Sequence, residues 1–157
     1  IEVCEKMTGF DGDLVIAGMP GWKYEPILER IRNSPRAANI RWLNFVADAD
    51  LPALYTGASL FLFTSLYEGF GFPPLEAMAC GTPVLSSAHG SLKEVLGSGA
   101  MLKETFNADL WAQKAAIILS ESDCRRMMTD YGLRQATKFS WEDTARKTWD
   151  VYRKVAG

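Results

Sequence analysis

The sequence predicts an α/β fold in which a parallel β-sheet is covered by helices on both faces. Short apolar runs, typical of buried strands, recur along the chain and stop at glycine or polar residues. Segments with the apolar spacing of helices alternate with these runs, and the connections between them are short. Such alternation is typical of a doubly wound sheet, because each crossover between parallel strands places a helix on one face.

Five strands are predicted, and the first and third are expected to be buried on both faces because their runs are apolar throughout. The predicted ranges are 13–18, 40–45, 60–64, 83–86 and 100–102. Ligands of open parallel sheets bind outside the carboxyl ends of the strands. The functional edge is therefore predicted to consist of the loops that follow Ala17, Phe45, Thr64 and Ser86.

Helices are predicted between the strands. Pro26, Pro52 and the pair Pro73-Pro74 each fall in the first turn of a helix, where a missing N–H group costs nothing. Asp50 is the expected N-cap of the helix that contains Pro52. Gly81 is expected to end the helix that the proline pair opens, and a further helical turn is predicted at 92–96.

The C-terminal part of the chain is predicted to be a helical tail. Its helices are placed near 108–119, 122–138 and 141–155, with Trp141 and Trp149 packing the last of them. The segment 1–7 looks like the end of a helix, which predicts that the chain begins inside a longer protein.

The length of 157 residues predicts one domain over 1–157, and composition and charge exclude several classes of function. A formal net charge of -2 without basic clusters argues against nucleic-acid binding, which needs lysine and arginine to neutralise phosphates. Cys4, Cys80 and Cys124 form no C-x-x-C motif, so neither a disulfide framework nor a zinc site is expected. A reducing, cytoplasmic setting is the simpler prediction. No apolar stretch approaches the roughly 18 residues of a membrane span.

The stretch 65–84 carries the chemistry, because it joins a predicted strand to a helix and holds two carboxylates. Gly69 and Gly71 let the backbone approach a ligand without obstruction by a Cβ atom. The first turn of the helix offers free N–H groups and a positive dipole end, which suit a diphosphate. Glu68 lies in the loop, where its charge suits a sugar better than a diphosphate. Glu76 is placed in the first helical turn and can accept two hydrogen bonds from a ribose diol.

Simpler structural interpretations exist for these and neighbouring residues. Glu68 can be an ordinary loop carboxylate, and Glu76 a partner of the helix dipole. The D-x-D sequence at 48–50 has the spacing that binds divalent metals in some enzymes, but a helix cap explains Asp50 better, so no metal site is predicted. His89, the only histidine, follows the fourth strand and is expected to be solvated in its loop.

Several motifs of the chain resemble those of a known enzyme family. The run E-G-F-G-F-P-P-L-E-A-M-A-C-G-T-P-V holds two glutamates that are separated by seven residues, and L-V-I-A-G, D-L-P-A-L-Y and F-S-W-E match around it. Together they resemble the retaining glycosyltransferases of the GT-B fold, family GT4, from residue 14 to about residue 152. The resemblance implies a Rossmann-like C-terminal domain that binds a nucleotide sugar, without the N-terminal acceptor domain.

The resemblance implies a role for each matching residue. Glu68 resembles the catalytic glutamate that faces the donor sugar, and Glu76 resembles the glutamate that binds the ribose hydroxyls. Val46-Ala47-Asp48 resembles the loop that recognises the nucleotide base. The other residues expected to bind the donor are Gly18, Gly69, Phe70, Gly71, Phe72, Pro73 and Leu75.

The implied reaction moves a hexose to a glycan or lipid-linked acceptor with retention of configuration. The acceptor attacks from the leaving-group face, the leaving phosphate takes its proton, and no metal or other cofactor is expected. GDP-mannose or a UDP-hexose is the expected donor, with a preference for GDP-mannose because the sequence 21–25 resembles mannosyltransferases of surface-polysaccharide assembly. The alternatives are a non-catalytic nucleotide-binding or interaction module and a GT-B-fold sugar-nucleotide epimerase.

One departure from the family pattern limits the expected activity. The family has an arginine and a lysine ahead of the L-V-I-A-G strand, and these residues lie outside this chain together with the glycine-rich loop of the first domain. The chain is therefore expected to bind nucleotide weakly and to show no turnover. Acceptor binding, and peripheral association of a full-length enzyme with the inner face of the membrane, would depend on the missing part.

Overall fold

The computed structural model describes all 157 residues, from Ile1 to Gly157. Helices and strands alternate in the order α1 (Glu2–Lys6), β1 (Leu14–Ala17), α2 (Glu25–Arg32), β2 (Ile40–Leu43), α3 (Leu51–Gly57), β3 (Phe61–Phe63), α4 (Phe72–Ala79), β4 (Val84–Ser87), α5 (Leu92–Leu96), β5 (Met101–Lys103), α6 (Ala108–Ser120), α7 (Ser122–Ala136) and α8 (Trp141–Ala156). Single turns of 3-10 helix at Ala37–Asn39 and Gly97–Gly99 precede β2 and β5. The predicted α/β class and its helical tail are confirmed.

All strand pairs are parallel, as predicted, but the strands form two sheets instead of one. In the first sheet β1 pairs with β2, and Leu14 lies opposite Ile40. In the second sheet β4 lies between β3 and β5, and Leu85 has Leu62 and Met101 as its partners. Since the pairs are parallel, the carboxyl ends of the strands in each sheet meet at one edge.

The burial of β1 and β3 differs from the prediction. β4 is buried along its whole length, as expected for a strand with a neighbour on each side and helices on both faces. In β1 only Leu14 and Ile16 are half-buried, whereas Val15 is 41% exposed. Every residue of β3 is half-buried. Both strands pair along one side only, which leaves part of their apolar surface uncovered.

Helices cover both faces of the second sheet. Val84 and Leu85, neighbours in β4, belong to different clusters of buried side chains, because successive residues of a strand point to opposite faces. Leu85 packs with Met7 before β1 and with residues of α6 and α7, which are Trp111, Ala112, Ala115, Ile118 and Met128. Val84 packs with residues of α3, α4 and α5, which are Tyr55, Ala77, Met78, Leu92, Val95 and Leu96.

The last helix, α8, lies on the surface with exposed apolar side chains. Ser140 caps α8, since its side chain accepts a hydrogen bond from the N–H group of Asp143. No residue of α8 is buried, and Trp141 and Trp149 are 74% and 63% exposed. The expectation that Trp149 packs the helix is therefore wrong. No helix of the chain combines the length and the apolar character that crossing a bilayer requires.

Candidate functional site

The connection between β3 and α4 is a tight corner with free backbone N–H groups. α4 begins at Phe72, and Gly71 is its N-cap at φ +104°. None of the N–H groups from Gly69 to Phe72 donates a backbone hydrogen bond. Pro73 and Pro74 have no N–H group, so the donors of this helix start are concentrated in the loop. Consecutive free N–H groups beside a helix N-terminus form a site that attracts anions.

The carbonyl groups of this corner are held by the turn between β4 and α5. Ser91 Oγ lies 2.9 Å from the carbonyl oxygens of both Glu68 and Phe70, and Ser91 N donates to the carbonyl oxygen of Glu68 at 3.3 Å. Gly90 allows this approach, because a Cβ atom there would lie 2.8 Å from the same oxygen. The turn thus fixes the corner through its carbonyl groups, whereas the N–H groups from Gly69 to Phe72 have no backbone hydrogen-bond partner within the chain.

We expect Ser91→Ala to loosen the corner at a small cost in stability. Loss of a hydroxyl hydrogen bond lowers the free energy of unfolding by about 1 kcal/mol. Denaturant unfolding should report that loss, and ¹⁵N relaxation should report lower order parameters at Gly69–Gly71. Ser98→Ala is the matched control, since the exposed Ser98 side chain makes no hydrogen bond in the structure. Unchanged order parameters in Ser91→Ala would contradict the proposed support.

The two predicted carboxylates flank the corner. Glu68 is half-buried in the loop, and Glu76 is exposed on α4. Because the helix begins at Phe72, Glu76 lies in the second turn and not in the predicted first turn. Neither carboxylate forms a salt bridge within the chain, and the segment 65–91 contains no lysine or arginine.

Glu76 has one hydrogen-bond partner within the chain. The hydroxyl group of Tyr55 in α3 donates to Glu76 Oε2 at 3.1 Å. Burial raises the pKa of Tyr55 well above its usual value, and the negative charge of Glu76 acts in the same direction. The phenol therefore stays protonated and remains a donor to the carboxylate.

The predicted base-recognition loop borders an open depression of about 650 Å³. Val46 lines it, whereas Asp48 is exposed and does not. The other lining residues are Trp42, Leu43, Asn44, Phe45, Ala47, Asp50 and Leu54. Leu54 precedes Tyr55 in α3, so one helix connects the wall of the depression with Glu76.

Gly18 lies beside the same loop, at the end of β1. Its N–H group donates to the carbonyl oxygen of Leu43 at 3.1 Å, and its own carbonyl oxygen accepts from Trp42 Nε1 at 2.8 Å. Its φ of +142° suits a residue without a Cβ atom. The structure therefore places two of the predicted donor-binding residues, Gly18 and Val46, beyond the carboxyl ends of β1 and β2 in the first sheet.

The remaining predicted loop residues divide into exposed and packed ones. Gly69, Phe72 and Pro73 are exposed, whereas Phe70, Gly71 and Leu75 are half-buried or buried. Phe70 and Leu75 pack against the cluster that contains Val84. The exposed residues can meet a ligand with side chain or backbone, and the packed residues shape the corner.

Asp50 and His89 make contacts other than those predicted. Asp50 occupies the N-cap position of α3, but its side chain forms no capping hydrogen bond and lines the depression instead. His89 is half-buried and not freely solvated. Its Nε2 atom lies 3.0 Å from the carbonyl oxygen of Glu104, and its ring stacks on Phe106 at 5.1 Å between centroids.

Aromatic contacts that were not predicted from the sequence join the corner to the start of α8. The rings of Phe70 and Phe72 are 4.6 Å apart between centroids. Phe139 meets Phe70 edge-on at 5.7 Å, and Trp141 stacks on Phe72 at 6.0 Å. The F-S-W-E element held the signal, since it contains both Phe139 and Trp141. Trp141, although largely exposed, therefore contacts the corner through the ring of Phe72.

Comparison with known proteins gives the context of this site. Residues 2–135 match the family described as glycosyl transferases group 1. The O-antigen chain mannosyltransferase B of Escherichia coli is 37% identical over 140 residues, which make up 89% of this chain and 37% of that protein.

Solved structures with low sequence identity share the fold. Sucrose-phosphate synthase from Thermosynechococcus elongatus has a TM-score of 0.87 at 24% identity, over 98% of this chain and 41% of that one. Anabaena HepE in complex with UDP-glucose has a TM-score of 0.78 at 19% identity, over 87% of this chain and 39% of that one. The chain thus spans less than half the length of each of these proteins. Because the family match covers most of its residues, the chain belongs to the glycosyl transferases group 1 family.

Proposed function

We propose that this chain is the donor-binding domain of a retaining hexosyltransferase and that the nucleotide sugar binds at the corner between β3 and α4. The observation that carries the proposal is the run of free N–H groups at 69–72 with a glutamate on either side. Free N–H groups near a positive dipole end can donate to a diphosphate. We propose that the two carboxylates bind the two sugars of the nucleotide sugar, one on each side of the diphosphate.

Each glutamate has a distinct proposed role. Glu76 accepts hydrogen bonds from the ribose diol, which suits a carboxylate that is exposed and has no cationic partner. Glu68 faces the donor hexose as the catalytic residue, where a carboxylate can accept from hydroxyl groups or oppose developing positive charge. The fixed position of the Glu68 backbone beside Ser91 supports a defined orientation of that loop.

The base is proposed to bind at the depression beside β2. Val46 lines this depression, Asp48 follows it in the same loop, and Gly18 hydrogen-bonds to the end of β2. Helix α3 connects the depression with Glu76, through Leu54 in its wall and Tyr55. GDP-mannose is our preferred donor, supported by the mannosyltransferase among the relatives, and a UDP-hexose is the second candidate. The transferred hexose is proposed to reach a glycan or lipid-linked acceptor bound by another domain.

We propose that the enzyme needs no metal or other cofactor and works in the cytoplasm. The three cysteines are free in the structure, which supports a reducing compartment. For a full-length enzyme we propose peripheral association with the inner face of the membrane.

The corner by itself should bind nucleotide weakly. A helix dipole contributes only about 0.3–1 kcal/mol to an exposed anion. The segment 65–91 adds no lysine or arginine to neutralise a diphosphate. We therefore expect weak binding of nucleoside diphosphates by this chain and no hexose transfer, and measurable transfer by the 157 residues alone would contradict that expectation.

Calorimetry of the chain against GDP, UDP and ADP tests the proposal. We expect Glu76→Ala to weaken binding about tenfold, because hydrogen bonds to a charged group are lost. Glu121→Ala, between α6 and α7, is the matched control, since it removes an exposed carboxylate that forms no salt bridge or side-chain hydrogen bond and should leave affinity unchanged. An unchanged affinity in Glu76→Ala would refute the ribose role, and equal affinity for all three nucleotides would contradict base recognition at the depression.

A further inference from the structure

Tyr55 is a core residue whose hydroxyl group hydrogen-bonds to the exposed carboxylate of Glu76. Tyr55 is 9% exposed, while Glu76 faces solvent. The hydroxyl group donates to Glu76 Oε2 at 3.1 Å, and no other side chain or backbone group hydrogen-bonds with this carboxylate. A charged acceptor makes this a stronger hydrogen bond than one between neutral groups.

The position of Tyr55 is itself fixed by contacts that do not involve Glu76. Its ring meets Phe61 edge-on, with 5.5 Å between centroids. Its carbonyl oxygen accepts a hydrogen bond from the buried Thr82 Oγ1 at 2.6 Å. The contact with Phe61 of β3 fixes the ring, and the hydrogen bond from Thr82 fixes the backbone that carries it. The hydroxyl group of Tyr55 is therefore held next to the carboxylate of Glu76.

A fixed donor on one oxygen limits the rotamers of a side chain that would otherwise move freely in solvent. Glutamate loses considerable rotamer entropy when it is ordered, so prior ordering lowers the cost of binding a ligand. The ionised carboxylate has about four lone-pair sites, and the hydrogen bond from Tyr55 uses one of them. Enough acceptor capacity remains for two hydroxyl groups.

We propose that Tyr55 is a positioning residue that holds Glu76 in the rotamer that accepts both hydroxyl groups of a ribose diol. This inference rests on the function proposed above and assigns to the D-L-P-A-L-Y element a part in nucleotide recognition. Tyr55 does not touch the ligand itself. Its effect is therefore expected only when both Glu76 and the diol are present.

The test uses NMR titrations of the chain with GDP and UDP, each beside its 2′,3′-dideoxy form, for wild type, Tyr55→Phe, Glu76→Ala and the double variant. We expect Tyr55→Phe to weaken binding of the better ribonucleotide about fivefold. The dideoxy form should bind wild type and Tyr55→Phe equally. In the Glu76→Ala background, Tyr55→Phe should cause no further loss, because the group it positions is absent.

A ligand-free measurement keeps the inference testable on its own. Side-chain scalar couplings of Glu76 should indicate one dominant rotamer in wild type and an average over several in Tyr55→Phe. Thermal unfolding should show that the variant is folded, because phenylalanine keeps the ring and its contacts. Tyr152→Phe is the matched control, since the exposed Tyr152 in α8 makes no hydrogen bond and should change neither readout.

The outcomes separate this inference from the proposed function. Equal weakening of ribonucleotide and dideoxynucleotide binding in Tyr55→Phe would assign the residue a general structural role and overturn the positioning role. Unchanged affinity in Tyr55→Phe, with clear weakening in Glu76→Ala, would overturn the positioning role and leave the proposed function intact. Unchanged affinity in both variants would overturn the ribose role of Glu76 and this inference with it.

Discussion

Replacement of Gly71 by alanine is expected to lower the free energy of unfolding by about 3 kcal/mol, combining backbone strain with overpacking. Gly71 has φ +104°, which side chains rarely adopt, and a Cβ atom there would lie 2.5 Å from Leu92 Cδ2. Leu92 is fully buried, so it has little room to move away. Chemical denaturation followed by circular dichroism measures the change.

Gly69→Ala is the control for this prediction, because it lies in the same loop but in a different environment. A Cβ atom at Gly69 would meet no atom within 4 Å. We therefore expect stability close to that of wild type, and weaker nucleotide binding if the diphosphate occupies the space above the corner. Similar destabilisation by both substitutions would mean that the contact with Leu92 does not decide the effect.

Trp111→Ala is expected to be still more destabilising, by about 4 kcal/mol, as found when a buried tryptophan leaves a cavity. Trp111 is 1% exposed and packs in the cluster that joins α6 to β4. Its Nε1 atom donates to the carbonyl oxygen of Thr105 at 2.6 Å, so the substitution also removes a hydrogen bond. Guanidinium unfolding should show the loss as a lower midpoint at an unchanged slope.

Trp149→Ala supplies the comparison for Trp111→Ala. It removes the same side chain from an exposed position on α8, so a change within about 0.5 kcal/mol is expected. A loss at Trp149 as large as that at Trp111 would show that α8 contributes to the core. A loss below about 1 kcal/mol at Trp111 would contradict the cavity argument.

Much of the fold was predictable because its signals are local. Five short apolar runs and the proline positions placed every strand and most helices within a few residues. The parallel orientation of the strands was predictable, but which strands are neighbours was not, because strand pairing joins residues that are far apart in sequence. For this reason the run at 14–17 was wrongly expected to be buried on both faces, although β1 has a neighbour on one side only.

In the candidate site, too, local motifs were predictable from the sequence and long-range contacts were not. Glu68, Glu76 and the glycines between them were identified from one continuous motif, and their roles remain predictions. The residues that hold them, Tyr55 and Ser91, were missed as partners because they lie 21 and 23 residues away from the groups they contact. Trp141 is further still in sequence, and only the folded chain brings it onto Phe72.

The sequence by itself determined the α/β class, the family and the stretch that forms the corner, because these follow from local periodicity and from a motif of adjacent residues. The tertiary structure decided that the strands form two sheets, that Glu76 lies in the second turn of α4, and that Tyr55 donates to its carboxylate. These features depend on distances between separate elements. Such distances are set only when the helices pack on the strands and bury their shared apolar surface.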